Sequence, residues 1–283
     1  MDAASPRVRS DCTPVAPAGV PLKIRMAAPD AEAAAAAGAA AGAAAGAHPM
    51  VIGIGGGRGA GKEYTCRNII DKVRERGCGE LAERVVHLHL DDFHRELSPE
   101  DRAQLDSGAA AINFDHPESY DFALLARVLR ALRAGDSAEV PMWDPQLRRR
   151  TGMRWVECRP WVVLVEGTLV LFVSEIRALM DMQVFVDVDS DTRLGRQVRA
   201  ELRSVAANGP EMHAALKRFL DSYLLMAKPS FEEFIWPTKR WADVIIPRGD
   251  LNNVAIELIA QRLVDLDYHA IYAKPAQPKA PVD

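Results

Sequence analysis

Short apolar runs and longer amphipathic segments alternate along most of this chain. Five apolar runs have the length of buried strands, at 51–54, 85–90, 161–165, 184–188 and 242–246. Apolar residues recur at helical spacing in the segments 64–76, 120–134, 212–226 and 251–266. Short strands that alternate with helices favour a parallel sheet with right-handed crossovers. The pattern therefore predicts an α/β fold, with a parallel five-stranded sheet flanked by helices.

Two segments fall outside this alternation. Residues 140–157, which include Trp143 and Arg148, predict a protruding β-hairpin. The side chains of such an arm could line a substrate site, or they could simply be solvent-exposed at a sheet edge. The helix that begins near Asp191 carries four spaced arginines, Arg193, Arg196, Arg199 and Arg203. These side chains could close over a triphosphate as a helical lid, or they could form a solvated face.

The first apolar run leads directly into a glycine-rich turn and a helix. Gly56, Gly61 and Lys62 have the spacing of a phosphate-binding loop, Gly-x4-Gly-Lys. Glycines let backbone N–H groups point at a phosphate, and the helix start adds the positive end of its dipole. We predict that ATP binds to Gly56, Gly57, Arg58, Gly59, Ala60, Gly61, Lys62 and Glu63. Lys62 should reach the terminal phosphates.

Glu63 occupies the position at which this motif has a Ser or Thr ligand for Mg2+. Two outcomes are physically open. The carboxylate could coordinate the ion itself, since Mg2+ prefers hard oxygen ligands. It could instead bind the free N–H groups at the helix start and compete there with the phosphates. Glu63 is therefore a candidate metal ligand, and we expect its presence to weaken nucleotide binding.

Carboxylates follow two of the predicted strands. Asp91 and Asp92 end the second run, and Glu166 ends the third. Ligands of an open α/β sheet bind at the carboxyl ends of its strands, so these side chains should face the phosphate loop. We predict Asp91 as a general base, Asp92 as a turn cap and Glu166 as the Mg2+ ligand. His87 and His89 share one strand face, and we expect satisfied core histidines rather than ligands.

The two ends of the chain differ in composition from its middle. Residues 31–48 are almost entirely alanine and glycine, and residues 271–283 are rich in proline. Neither segment has the large apolar side chains that a core requires. We therefore expect a disordered segment at 1–48, one phosphate-loop domain at 49–270 and a disordered tail at 271–283.

Charge and cysteine content give no support for a nucleic-acid-binding protein, a zinc protein or a disulfide-stabilised protein. The 283 residues include 35 basic and 39 acidic side chains, a formal charge of -4, which gives no support for a nucleic-acid partner. No segment predicts a membrane span or a secretory signal. The four cysteines form no CxxC pair, so neither a zinc site nor a disulfide framework is indicated. We expect a cytoplasmic homo-oligomer, and basic residues near the N-terminus leave organellar targeting open.

Four longer stretches resemble the signatures of one enzyme family. They are FDHPESYD (114–121), VEGTLVL (165–171), FVDVDSDTRLGR (185–196) and KPSFEEFIWPTKRWADVIIPRG (228–249). Together with the phosphate loop, they make residues 50–267 resemble the uridine–cytidine kinases of the phosphoribulokinase and uridine kinase family. The resemblance implies a P-loop NTPase-type sheet with a protruding hairpin and a helical lid. It also implies ATP and Mg2+ as cofactors, and phosphorylation of uridine or cytidine at the 5′-hydroxyl.

The resemblance also implies roles for single residues. Lys62 matches the phosphate-loop lysine, Asp91 the base that takes the 5′-hydroxyl proton, and Glu166 the Mg2+ ligand. Asp115 matches the carboxylate that binds the ribose 2′- and 3′-hydroxyls, and Asp250 lies where the family contacts the nucleotide. Further substrate contacts are implied at His94, Trp143, Arg148 and Arg196.

Several positions depart from the family pattern, besides Glu63. Trp143 and Arg148 stand where the family has a tyrosine and a histidine against the pyrimidine, and His94 stands where a tyrosine is usual. Gln197 replaces the second arginine of the lid helix. Two alternatives to a uridine–cytidine kinase are therefore open. One is a kinase for another nucleoside or sugar, and the other is a catalytically impaired relative that binds nucleotide or partners.

Overall fold

The computed structural model describes residues 48–107, 112–157, 160–203, 210–249 and 252–272. The segment 1–48, expected to be disordered, lies outside the described residues except for His48. The tail expected at 271–283 lies outside them from residue 273 onward.

The strands are short, as the apolar runs predicted. They are β1 (Met50–Gly56), β2 (Val85–His89), β3 (Ala138–Asp144), β4 (Arg149–Val156), β5 (Val162–Glu166), β6 (Met182–Asp187) and β7 (Val244–Pro247). Among the described residues, five of them form one parallel sheet in the order β2-β5-β1-β6-β7. The hairpin predicted at 140–157 is present as the antiparallel pair β3 and β4. The predicted α/β fold with a parallel sheet is confirmed.

Helices cover both faces of the sheet. They are α1 (Lys62–Glu75), α2 (Gly79–Glu83), α3 (Pro99–Ser107), α4 (Phe122–Ala134), α5 (Ser174–Arg177), α6 (Ser190–Leu202), α7 (Pro210–Ser222), α8 (Lys228–Ser230) and α9 (Asn253–Tyr272). Wider π-type turns occur at Tyr223–Ala227 and Phe231–Ile235, and tighter 3-10 turns at Leu90–Phe93, Pro117–Ser119 and Trp236–Trp241. Among the residues that the structure describes, no helix combines the length and apolar character needed to cross a bilayer.

Some element boundaries differ from the predicted ones by a few residues. The second apolar run continues to Leu90, but β2 ends at His89 because the chain enters a tight 3-10 turn there. The last strand begins at Val244 rather than Ala242, whose backbone N–H still bonds to the carbonyl of Lys239 at 3.3 Å. Apolar composition alone does not distinguish the last residue of a strand from the first residue of a buried turn.

The core has two layers, one on each face of the sheet. One layer joins α4 to the sheet through residues such as Leu125 and Phe185. The other joins α1 and α9 to the sheet through residues such as Ile69 and Ile259. Every residue of β5 is buried, as expected for a central parallel strand with helices on both faces. Because helices pack on both faces, the carboxyl ends of β1, β2 and β5 are held in fixed register at one edge of the sheet.

Leu164 tests the assignment of β5 to the core, because it is completely buried there. Replacing it with alanine should lower the free energy of unfolding by about 2–5 kcal/mol, since the surrounding helices cannot fill the cavity. The quantity is measured by urea unfolding followed by circular dichroism. Leu225→Ala is the matched control, because Leu225 is 75% exposed, and it should change the value by less than about 0.5 kcal/mol. Equal losses in both variants would contradict the assignment.

Candidate active site

The phosphate loop lies between β1 and α1, where the sequence placed it. Gly56 and Gly59 have φ angles of 145° and 74°, which side chains of L-residues rarely tolerate. A Cβ on Gly56 would lie 2.6 Å from the carbonyl oxygen of Val186, and one on Gly59 would lie 2.7 Å from that of Arg193. The loop is therefore pressed against β6 and α6. Lys62 opens α1, and its Nζ donates to the carbonyl of Gly57 at 3.3 Å.

Glu63 does not lie over the loop. Its carboxylate pairs with Arg67 one turn later along α1, and both side chains are largely exposed. The nearest Ser or Thr in sequence is Thr65. Thr65 is completely buried, however, and its hydroxyl donates to the carbonyl of Gly61 at 3.0 Å. Thr65 is therefore part of the helix packing and does not substitute for the missing ligand.

Arg58 connects the phosphate loop to Asp115. Its Nε donates to Oδ1 of Asp115 at 2.7 Å, and the Asp115 side chain is only 10% exposed. Burial works to lower the pKa of Arg58, but the carboxylates of Asp115 and Asp91 outweigh it and raise that pKa. The backbone N–H of Asp115 donates in turn to the side chain of Asn113 at 3.1 Å. The sequence placed Arg58 and Asp115 in one site without indicating that they form an ion pair.

Asp91 lies in the 3-10 turn that follows β2, and its side chain is 59% exposed. The hydroxyl of Tyr120 donates to its Oδ1 at 3.3 Å, and Nε2 of His94 lies 4.0 Å from the same oxygen. Burial raises the pKa of Tyr120 well above its ordinary value, so the phenol stays protonated and remains a donor. Tyr120 was missed as a site residue, although it belongs to the stretch FDHPESYD.

Asp92 has a structural contact, but not the turn cap that the sequence predicted. Its Oδ1 accepts a hydrogen bond from the backbone N–H of Trp143 at 3.2 Å. Burial raises the pKa of Asp92. The contact fastens the hairpin to the end of β2, which positions Trp143 beside the site.

Four aromatic rings, which we call the aromatic wall, line the side of the site next to the hairpin. They are His94, Phe114, Tyr120 and Trp143. The His94 ring stacks on Tyr120 with centroids 4.2 Å apart, and it lies 4.9 Å from the Trp143 ring. Arg148 lies at the rim, with its guanidinium 5.5 Å from the centre of Phe114. Trp143 is therefore packed among the aromatic rings, whereas Arg148 is exposed at the end of the hairpin, as the solvated-edge interpretation allows.

Helix α6 lies directly on the phosphate loop. Nη1 of Arg196 donates to the carbonyl of Gly59 at 3.2 Å, and Nε2 of Gln197 donates to that of Arg58 at 3.3 Å. Arg193 is buried, and its guanidinium lies 3.8 Å from the centre of the Phe231 ring. A solvated face therefore describes Arg199 and Arg203, which are exposed, but not the first two arginines.

A small open pocket lies between the loop, α6 and the helical turns after α7. Its lining includes Arg58, Asp115, Arg193, Gln197 and Phe231. Asp250, predicted at the nucleotide, lies outside the described residues.

Glu166 is the last residue of β5, and its side chain is 12% exposed. Nδ1 of His89 lies 2.9 Å from its Oε1, and this hydrogen bond raises the pKa of His89. His87 differs, because burial and the neighbouring His89 lower its pKa to about 4. Within the described residues, Nε2 of His87 is buried and no protein group hydrogen-bonds to it. The expectation of satisfied core histidines is therefore wrong for His87, and both rings are only partly buried.

The fold and this site define a P-loop kinase. Residues 51–255 match the Phosphoribulokinase / Uridine kinase family, and the chain belongs to that family. It is 40% identical to uridine-cytidine kinase 2-B of Danio rerio over 218 residues, which cover 77% of this chain and 80% of that protein. It is 38% identical to uridine-cytidine kinase B of Dictyostelium discoideum over 220 residues, which cover 76% and 82%.

A solved structure supports the fold. The structure of a proposed fructose transport system kinase from Silicibacter sp. TM1040 superposes with a TM-score of 0.55 at 21% identity, covering 76% of this chain and 98% of that one. At this identity the similarity concerns the fold and not the substrate.

His94 should make stability depend on pH. Burial lowers its pKa, so the folded protein resists protonation at this ring. Its contribution to stability should be complete above the unfolded pKa of about 6.5 and should be lost as the pH falls below that value. We therefore expect wild type to lose more unfolding free energy than His94→Phe between about pH 7.5 and about pH 5. Urea unfolding of both proteins across that range gives the difference. Parallel pH profiles would show that His94 does not titrate on unfolding.

Proposed function

We propose that this chain transfers the γ-phosphoryl group of ATP to the 5′-hydroxyl of a nucleoside, with uridine and cytidine as acceptors and UMP and CMP as products. Pyrimidine salvage is the corresponding pathway. One observation carries the proposal beyond family membership. A phosphate-loop side chain, Arg58, bonds to Asp115, which is the carboxylate matched to ribose binding. The loop that would hold ATP and the carboxylate that would hold the ribose are therefore in direct contact.

The residues present fit ATP, and they fit Mg2+ in part. The loop from Gly56 to Lys62 has the glycine conformations and the lysine that hold phosphates. The Glu166 carboxylate at the end of β5 is a hard oxygen ligand of the kind that Mg2+ prefers. Glu63 would have to leave Arg67 to act as a second ligand. When bound, Mg2+ neutralises charge that develops on the transferred phosphoryl group.

The protein groups in this proposal act mainly by position and charge. Asp91 accepts the proton of the 5′-hydroxyl, and the donor hydroxyl of Tyr120 holds the Asp91 carboxylate in place. Lys62 and Arg196 supply positive charge at the phosphates, and both lie on the loop backbone. Phosphoryl transfer needs little covalent help from the enzyme, so positioned charge accounts for most of the acceleration.

Acceptor binding requires Asp115 to exchange partners. Its buried carboxylate already bonds to Arg58, so ribose hydroxyls must share or replace that bond. Phosphates bound at the loop offer Arg58 another anionic partner. ATP should therefore release Asp115 for the ribose, and the two substrates should support each other's binding.

The aromatic wall is the proposed surface for the base. Stacking on Trp143 and contact with His94 favour any flat ring, because each base has a π-face. Arg148 at the rim offers only hydrogen-bond donors to a base, whereas a neutral histidine would offer one donor and one acceptor. We therefore propose that discrimination among bases is looser than discrimination among sugars, which leaves other nucleosides as acceptors of second choice.

We also propose that residues 49–270 act as one kinase unit in the cytoplasm and assemble as a homo-oligomer, with ATP and nucleoside as small-molecule ligands. The near balance of 35 basic and 39 acidic residues supports neither a nucleic-acid nor an anionic-membrane partner. Size-exclusion chromatography with light scattering would decide the oligomeric state.

Asp91→Asn tests the proposed base. The amide keeps the shape of the side chain but cannot accept the hydroxyl proton, so uridine-dependent ADP release should fall by about 10²–10⁴-fold. ATP affinity, measured by isothermal titration, should change little. Asp92→Asn is the matched control, since the amide oxygen can still accept from the N–H of Trp143, and it should retain most activity. Wild-type turnover in Asp91→Asn would remove Asp91 from the mechanism.

Glu63→Thr tests whether the altered phosphate loop limits the enzyme. Glu63 adds a negative charge in the first turn of α1, close to the helix start where phosphates would bind, and its pair with Arg67 on the exposed face does not remove that charge from the loop. We expect Glu63→Thr to bind ATP–Mg2+ more tightly and to raise the rate of uridine-dependent ADP release several-fold.

Glu63→Gln is the control, because it removes the charge without supplying a hydroxyl. It should improve binding less than Glu63→Thr does. If Glu63→Thr lowers both affinity and rate, then Glu63 is a working metal ligand. If wild type has no activity and Glu63→Thr restores it, wild type is the catalytically impaired relative.

A further inference from the structure

His87, His89 and Glu166 form a compact group, which we call the His-His-Glu cluster. Each residue can offer one ligand atom, and these atoms all lie within 4.8 Å of one another. The proposed phosphoryl transfer uses Glu166 and gives no role to either histidine.

Two neighbouring strands determine the position of this cluster. Side chains alternate along β2, so Leu88 enters the core while His87 and His89 share the opposite face. The parallel register pairs His89 with Glu166 on β5. The two imidazole rings lie with their centroids 4.2 Å apart. Because both strands belong to the central sheet, the three groups are held together by rigid elements rather than by a loop.

One ring nitrogen of the cluster has no hydrogen-bond partner among the described residues. Nε2 of His87 is buried, and no described residue hydrogen-bonds to it. Nδ1 of His89 and Oε1 of Glu166 are already 2.9 Å apart. Buried polar atoms in folded proteins nearly always have a partner, and a bound ion is one such partner.

We propose that His87, His89 and Glu166 bind a first-row transition-metal ion of the Zn2+ type. Imidazole nitrogen suits Zn2+, whereas Mg2+ takes oxygen ligands almost exclusively. Two histidines and one carboxylate are a ligand set that Zn2+ accepts, and they leave a fourth position for water or a phosphate oxygen. The two histidines thus turn a Mg2+-type carboxylate into a site that prefers Zn2+.

The surrounding charges have both signs. The carboxylates of Asp92 and Glu63 act on His89 and favour a cation. Arg67 and Arg154 act on His87 and oppose one, and Arg154 donates to the backbone carbonyl of His87 at 3.0 Å. Binding must therefore come from coordination by the three ligands rather than from a strongly negative field.

Occupancy would have a consequence for catalysis, and this part alone rests on the proposed function. Glu166 cannot serve Mg2+ while it is a ligand of Zn2+. The cluster would then be an inhibitory site, at which Zn2+ lowers phosphoryl transfer even when Mg2+ is in excess.

The test titrates the full-length protein with Zn2+ by calorimetry and with Co2+ by visible absorption, without nucleotide. We expect one ion per chain and the absorption of a four-coordinate nitrogen and oxygen site, without the thiolate charge-transfer band that a cysteine ligand would produce. His87→Asn and His89→Asn should each weaken Zn2+ binding at least tenfold. His116→Asn is the control, because this partly exposed histidine lies near Glu118 and outside the cluster, and its affinity should match wild type.

Three results would overturn the proposal. Absence of stoichiometric binding, or a thiolate band in wild type, would exclude the cluster without recourse to any variant. Unchanged affinity in folded His87→Asn and His89→Asn would place the ion elsewhere. Kinase assays then separate the two proposals. If both proposals are correct, Zn2+ should inhibit the wild-type kinase more strongly than the His87→Asn variant. If the protein binds Zn2+ as expected but does not phosphorylate a nucleoside, only the proposed function is contradicted.

Discussion

The close approach of the phosphate loop to its neighbours is the constraint on which the site depends. The loop touches the carbonyl of Val186 on one side and that of Arg193 on the other, at distances that leave no space for a Cβ on Gly56 or Gly59. Helix α1 starts at Lys62 because the loop turns there, and α6 can place Arg196 on the loop because nothing separates their backbones. A methyl group at Gly56 would clash with the backbone of β6, and one at Gly59 would clash with the backbone of α6.

Charged groups around this loop are paired with one another. Arg58 bonds to Asp115, His89 to Glu166, and Glu63 to Arg67. In the proposed function, each pair contains a group that a ribose, a metal ion or a phosphate would contact. Ligands must therefore exchange existing contacts rather than meet free charges, and selectivity depends on the difference between the two sets of contacts. A buried carboxylate such as Asp115 needs a partner in both states, because an unpaired buried charge is destabilising.

Much of the architecture could be predicted because it depends on local pattern. The continuous apolar run that became β5 has the length of a strand covered on both faces, and the glycine spacing before Lys62 is typical of a turn into a helix. The boundary between β2 and its turn could not be predicted, since Leu90 is buried in either conformation. The placement of Asp92 was missed for a similar reason, because its partner, the N–H of Trp143, lies on an arm distant in sequence.

The sequence by itself determined the class of fold, the phosphate loop and the set of candidate site residues, because these follow from spacings within single segments and from family signatures. Only the tertiary structure decided which of those residues are partners. Arg58 and Asp115 are 57 positions apart, and His89 and Glu166 are 77 apart. Their contacts depend on strand order, on parallel register and on how the loop packs against α6. None of these is encoded in the spacing of a few neighbouring residues, because each arises only when separate elements share one core.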